Sequence, residues 1–329
     1  PPFCSSAPAC DGNRTEASIR EYAIVIDADE TFDGTWPFAP KFFHGNGFAM
    51  HYVDQPFDSA TGGGETFLCL HGEPTWGYLY RNIIPRLDKY GRVIVPDQMG
   101  FGKSETPQDR AYSIQEHCDN LEKLVLDLDL TNLTLVLQDW GGPIGSTIAY
   151  RHPDRVSRLC VMNAMVGGRA PESAGSFQVS PWLNWVNGPA FEPTIQNLSA
   201  TALSVMKRVG FESTAQVDET WIRAYAAPFP TPESTIAAQR FPQCIADRQT
   251  VDFLKTVRTA EATAAIKKMP AMLIFGEADR ALPQAFTIGC FKDLWPDGPV
   301  VTLPGVGHFL QEDAPETVSA LIQQFVQMT

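Results

Sequence analysis

Short apolar runs separated by longer mixed stretches dominate the chain. Residues 48–54 alternate apolar and polar enough for a strand. Residues 66–70, 93–95, 133–137, 159–162, 271–275 and 300–303 are continuous apolar runs of strand length. Each ends at a loop-forming residue or pair: His71-Gly72, Pro96-Asp97, the turn at Asp139, Asn163, Gly276 and Pro304-Gly305. Stretches of helical length lie between them, among them residues 113–128, 143–152 and 315–328. Continuous apolar strands alternating with helices predict a parallel sheet covered on both faces.

From Val166 to Ala264 the rhythm breaks. No strand-like run occurs there, Pro and Trp are frequent, and residues 201–209 carry a helical pattern. A helical cap inserted after the strand at 159–162 accounts for it. The predicted layout is a loose polar tail at 1–20, a core formed by 21–165 and 265–329, and a cap at 166–264. Ligands bind outside the carboxyl ends of such strands, so a cap there closes a pocket.

Composition narrows the function. The 329 residues hold 44% hydrophobic content and suffice for one large α/β unit with an insertion. A formal net charge of −13 and the lack of a Lys/Arg-rich stretch argue against nucleic acid as a partner. No apolar run reaches the roughly 20 residues needed to span a bilayer. The first residues lack a charged start and an apolar stretch, so no signal peptide is expected, and a soluble, cytoplasmic protein is favoured. Seven cysteines show no C-x-x-C spacing, which removes most zinc and redox readings. Cys69 and Cys160 read as buried apolar residues, and Cys4 and Cys10 could bridge locally. Sequons stand at Asn13, Asn132 and Asn197.

The chemistry is concentrated at Val136-Leu137-Gln138-Asp139-Trp140-Gly141-Gly142. An apolar run ends here in a turn that opens a helix, the layout of a nucleophile elbow in an α/β-hydrolase. Serine is usual at the centre. A carboxylate needs no base to attack and suits displacement at saturated carbon. Taken alone, Asp139 would read as a helix cap, but the small residues after it fit a strand and helix that nearly touch. Leu137 departs from the pattern, which prefers a small residue there. His308, after the last predicted strand, occupies the place of the base, and Asp279, after the penultimate one, that of the acid; Glu277 competes and ranks second. The loop after the strand at 66–70, His71-Gly72-Glu73-Pro74-Thr75-Trp76, would give an oxyanion hole from the backbone N–H groups of Glu73 and Trp140. Indole N–H groups are donors only. Trp140 and, in the cap, Trp185 would together hold a departing halide, with Trp182 read as core.

These segments resemble the haloalkane dehalogenases. The similarity rests on residues 68–76 with Tyr78-Leu79-Tyr80-Arg81, on 96–104, on Leu137-Gln138-Asp139-Trp140-Gly141-Gly142, on 224–230 and on 307–312. It reaches from about residue 35 to the C-terminus. It is nearest to the subgroup with an Asp–His–Asp triad and two halide-binding tryptophans. Asn163 stands where another subgroup has its catalytic glutamate, and Glu73 replaces the asparagine that other subgroups use as halide donor. The resemblance implies a mostly parallel eight-stranded α/β-hydrolase sheet with a helical cap, and no metal or organic cofactor. It implies a substrate pocket at Phe191, Phe229, Phe241, Leu282 and Phe309. Small halogenated hydrocarbons and water would be its ligands, halide its product, and the protein a monomer or weak homo-oligomer.

The implied reaction is hydrolytic dehalogenation through an alkyl ester of Asp139, with His308 activating water. Epoxide hydrolase is the nearest alternative, but it needs a pair of cap phenols and the cap has only Tyr225. A cofactor-free oxygenase of luciferase type and a non-catalytic receptor on the same scaffold rank lower.

Overall fold

In the computed structural model, residues 25–57, 64–175, 177 and 180–329 are described. The predicted tail, Cys4, Cys10 and Asn13 lie outside these residues. The sheet has eight strands: β1 (Pro40–Phe43), β2 (Met50–Gln55), β3 (Thr66–Leu70), β4 (Arg92–Pro96), β5 (Leu133–Asp139), β6 (Val156–Ala164), β7 (Ala271–Gly276) and β8 (Val300–Leu303). Their spatial order is β1-β2-β4-β3-β5-β6-β7-β8. β2 is antiparallel to both β1 and β4, and the remaining pairs are parallel. β3 and β7 are buried throughout and β5 nearly so, as continuous apolar runs covered on both faces must be.

Helices α1 (Ile84–Leu87), α2 (Ile114–Asp127) and α3 (Gly141–Arg151) precede or follow the first strands. Ser113 caps α2 by accepting the Glu116 N–H. Between β6 and β7 the described residues form helices and no strand. These are α4 (Pro181–Val186), α5 (Phe191–Ile195), α6 (Leu198–Val209), α7 (Glu219–Ala226), α8 (Ile236–Ala246), α9 (Gln249–Val257) and α10 (Ala260–Ile266). After β7 come α11 (Gln284–Leu294), α12 (Leu310–Asp313) and α13 (Pro315–Met328).

The helical stretch is tied to the sheet's carboxyl edge. Val209 O accepts from Arg280 N at 2.8 Å, and Gly210 O accepts from Phe309 N at 3.2 Å. Gly210 has φ +139°, and a Cβ there would lie 2.8 Å from His308 N, so the end of α6 touches the histidine loop directly. The five described cysteines outside the N-terminal segment, Cys69, Cys118, Cys160, Cys244 and Cys290, are free and buried. Among the described residues no helix is long and apolar enough to cross a membrane.

Candidate active site

Asp139 is the last residue of β5, and its φ of +49° lifts it out of strand geometry. Such left-handed backbone at a non-glycine residue costs about 1–3 kcal/mol and persists only when its surroundings enforce it. Close packing does so here. A Cβ on Gly141 would meet Leu70 O at 2.3 Å, and one on Gly142 would meet Met165 O at 2.8 Å. Strand and helix therefore approach closely, as the sequence pattern required. The large Leu137 is accommodated from the other side. A Cβ on Gly145 would lie 2.4 Å from its Cδ2, so the small residue sits on α3 instead of β5.

Three side chains line up at this edge. His308 Nε2 lies 3.2 Å from Asp139 Oδ2, and His308 Nδ1 lies 2.8 Å from Asp279 Oδ2. The His308 and Asp279 side chains are fully buried, while Asp139 retains some exposure. Asp279 is fixed by four donors. Its Oδ1 accepts Ala281 N–H and Leu282 N–H at 2.7 and 3.0 Å. Its Oδ2 accepts Asn163 Nδ2 at 2.6 Å as well as the imidazole. Asn163 in turn accepts Gly276 N–H at 2.7 Å, so the residue at the end of β6 positions the acid without being one. Glu277 is exposed and makes no contact with His308.

Burial opposes a charge on His308, but Asp279 and Asp139 at its two nitrogens outweigh it and hold its pKa at about 10. The imidazolium is thus the resting form at neutral pH.

Glu73 N donates to Asp139 Oδ1 at 3.0 Å. Trp140 N donates to no described residue and stands open. Gly72 allows this arrangement, since a Cβ there would lie 2.0 Å from Asp139 Oδ1. The Glu73 side chain is buried, with Oε1 unpartnered among the described residues. Burial, and then the charge of Asp139, push its carboxyl well above the usual range. The Glu73 carboxyl therefore holds its proton more firmly than an ordinary glutamate, which lessens the negative charge set beside Asp139.

A cavity of about 340 Å³ opens onto Asp139 and Trp140. Phe177, Trp182, Leu254 and Leu282 make up much of its largely apolar wall. Neither Trp140 nor Trp182 donates its indole N–H to a described residue. Here the structure departs from the sequence reading. Trp182 lines the cavity, whereas Trp185 packs edge-on to Phe191 at 5.1 Å beneath Arg208, away from that wall. Of the five residues named for the pocket, Leu282 lines it. Phe241 instead stacks on Trp140 at 4.8 Å, Phe309 meets His308 edge-on at 5.0 Å, and Phe229 packs on Phe101 at 6.1 Å. These rings fill the seam between helices and sheet, and Phe191 is taken up by Trp185. The sequence reading did not find Met165, Phe177 and Arg258 in the lining. Nothing in a single chain signals which face of α4 or α9 turns toward the sheet.

The match to known proteins fits this geometry. Residues 65–315 match the family described as alpha/beta hydrolase fold. The chain is 32% identical to a haloalkane dehalogenase of Psychrobacter cryohalolentis, over 84% of this chain and 87% of that one. It is also 32% identical to a cis-3-alkyl-4-alkyloxetan-2-one decarboxylase of Xanthomonas campestris pv. campestris, over 85% of this chain and 93% of that one. Among solved structures, a tetrameric haloalkane dehalogenase of Paraglaciecola agarilytica superposes with a TM-score of 0.70 at 32% identity, covering 87% of this chain and 92% of that one. With its fold, its carboxylate at the elbow and these relatives together, the chain belongs to the α/β-hydrolase family and, within it, is an enzyme of the haloalkane dehalogenase type.

Proposed function

We propose that the enzyme cleaves carbon–halogen bonds through a covalent ester on Asp139. The observation that carries this reading is the line Asp139–His308–Asp279, whose first member opens onto an apolar cavity that Trp140 and Trp182 also line. Asp139 attacks the carbon bearing halogen from the side opposite the leaving group. Trp140 and Trp182 stabilise the departing halide, whose charge the apolar wall leaves unscreened. Trp182 takes the place that the sequence reading assigned to Trp185. Helices α4 to α10 act as the cap expected at residues 166–264.

Ester formation changes the proton balance. It removes the charge of Asp139, one of the two anions that hold His308 protonated. The imidazolium then releases its proton and becomes a base, oriented by Asp279. His308 takes a proton from water, which attacks the carboxyl carbon of Asp139. The N–H groups of Glu73 and Trp140 receive the oxyanion. Collapse of the intermediate returns that proton to the leaving alkoxide. The water's other proton passes from the Asp139 carboxyl to His308 and restores the resting pair. Alcohol, halide and the proton first released by His308 are the products.

His308→Gln tests the scheme. Halide release in a single burst, with the alkyl group retained on Asp139 by mass spectrometry, is the expected result. Substrate binding with neither halide nor adduct would exclude it.

The equal identity to oxetanone decarboxylases supports a second reading. A cis-dialkyl oxetan-2-one incubated with the enzyme and assayed for alkene and carbon dioxide separates the two. Epoxide opening is disfavoured, because Tyr225 is buried and donates its O–H to Glu312.

A further inference from the structure

The cavity wall holds a cation without a counter-charge. Arg258, at the carboxyl end of α9, lines the same cavity as Asp139, together with Lys255 one turn earlier. Lys255 pairs with Asp252 at 3.0 Å on the surface. Arg258 has no such partner: among the described residues no acid forms an ion pair with it, and its Nε is buried without an acceptor. Its neighbours offer no anion. The guanidinium sits 5.7 Å from the Tyr150 ring centroid, and the Tyr150 O–H is spent on Val166 O at 3.1 Å. Cys118 is pushed up to about 12 by burial and stays a thiol, and burial raises Cys290 as well. Gly167, with φ +135°, lets the backbone pass close by, since a Cβ there would lie 2.5 Å from Tyr150 Oη and 3.5 Å from Arg258 Nε.

A half-buried guanidinium facing an apolar cavity is costly unless something pairs with it. The protein as a whole is acidic, and no carboxylate has been spent on this position. We propose that Arg258 receives an anionic head group on the substrate, a carboxylate at the end of an alkyl chain whose other end carries the reacting carbon. The planar guanidinium suits a carboxylate, with which it forms paired, charge-assisted hydrogen bonds. The substrate class is then an ω-halocarboxylate, with the apolar wall between Asp139 and Arg258 holding the chain. For the identity of the reacting carbon this rests on the dehalogenase reading; the anion site itself does not.

Two measurements on the full chain separate those dependencies. Calorimetry with hexanoate and with hexanol reads the head-group site without turnover. Wild type is expected to bind hexanoate at least ten-fold more tightly, Arg258→Gln to lose that preference, and Arg258→Lys to keep part of it. Charge-assisted pairs of this kind account for about ten- to hundred-fold in affinity. Halide release from ω-bromohexanoate and bromohexane gives the second readout. The ratio of their kcat/KM values should favour the acid and fall by about ten-fold or more in Arg258→Gln. Equal binding of hexanoate and hexanol by wild type overturns the proposal, as does a preference unchanged in a folded Arg258→Gln. A hexanoate preference lost on substitution, with no halide from either substrate, upholds the anion site and rejects the dehalogenase reading.

Discussion

Trp182 and Trp185 stand three residues apart on α4, yet their surroundings divide their tasks. Trp182 faces the cavity with its N–H unspent, while the Trp185 ring is occupied by Phe191 and by Arg208, 4.8 Å above it. Removing one donor from a developing anion in a dry site costs about 10²–10³-fold. Trp182→Phe should therefore weaken bromide binding and lower kcat/KM by one to two orders of magnitude, roughly at or below that range. Trp185→Phe should leave bromide binding within about two-fold, as a packing position outside the site would. Halide titration by tryptophan fluorescence compares the two, and equal losses in both would refute the assignment to Trp182. At this scale the chain order Asp139, Asp279, His308 was legible in the sequence, because each residue follows a strand end that the apolar runs already locate. Trp182 was not. Its orientation depends on how α4 packs against α8, a tertiary contact that no local pattern encodes.

Among the elements, α12 ties the helical stretch to the sheet through a single buried side chain. Glu312 is fully buried and accepts from Arg81 through both carboxylate oxygens. It also accepts from Gln216 at 2.8 Å, from Trp221 Nε1 at 3.2 Å and from the Tyr225 hydroxyl. One carboxylate thus joins the loop after β3, α7 with the loop before it, and the helix that follows His308. Breaking a buried pair from one side leaves the other charge unpaired, at about 3–5 kcal/mol. Glu312→Gln should lose stability of that size by urea denaturation, and Arg81→Met combined with it should lose less than the sum of the two single changes. Strict additivity would show that the pair is not coupled. Strand placement was read well from sequence: residues 66–70 and 300–303 coincide with β3 and β8. β1 was not visible, since an edge strand of four mostly half-exposed residues beginning with Pro40 has neither an apolar run nor a clean alternation.

Across the whole molecule, the site stores a charge arrangement that pH can undo. The His308 pKa of about 10 lies above the ordinary histidine value of roughly 6.5 because Asp279 and Asp139 outweigh the effect of burial. A histidine raised in the folded state adds stability that is fully present below the unfolded pKa. That stability is lost as pH climbs through the folded one. The window therefore runs from about pH 6.5 to about pH 10. Glu73 acts in the same direction, since its carboxyl is also raised by burial and by Asp139, and its proton too is held more firmly in the folded state. Replacing His308 by Gln removes the first contribution and takes from Glu73 the one nearby charge that lowers its pKa. The melting temperature of wild type relative to His308→Gln should be highest near pH 6 and decline steadily toward pH 10. Scanning calorimetry at several pH values measures that gap. A gap independent of pH would mean that the imidazole is neutral in the resting enzyme. Alkylation of Asp139 would then not be what converts His308 into the base.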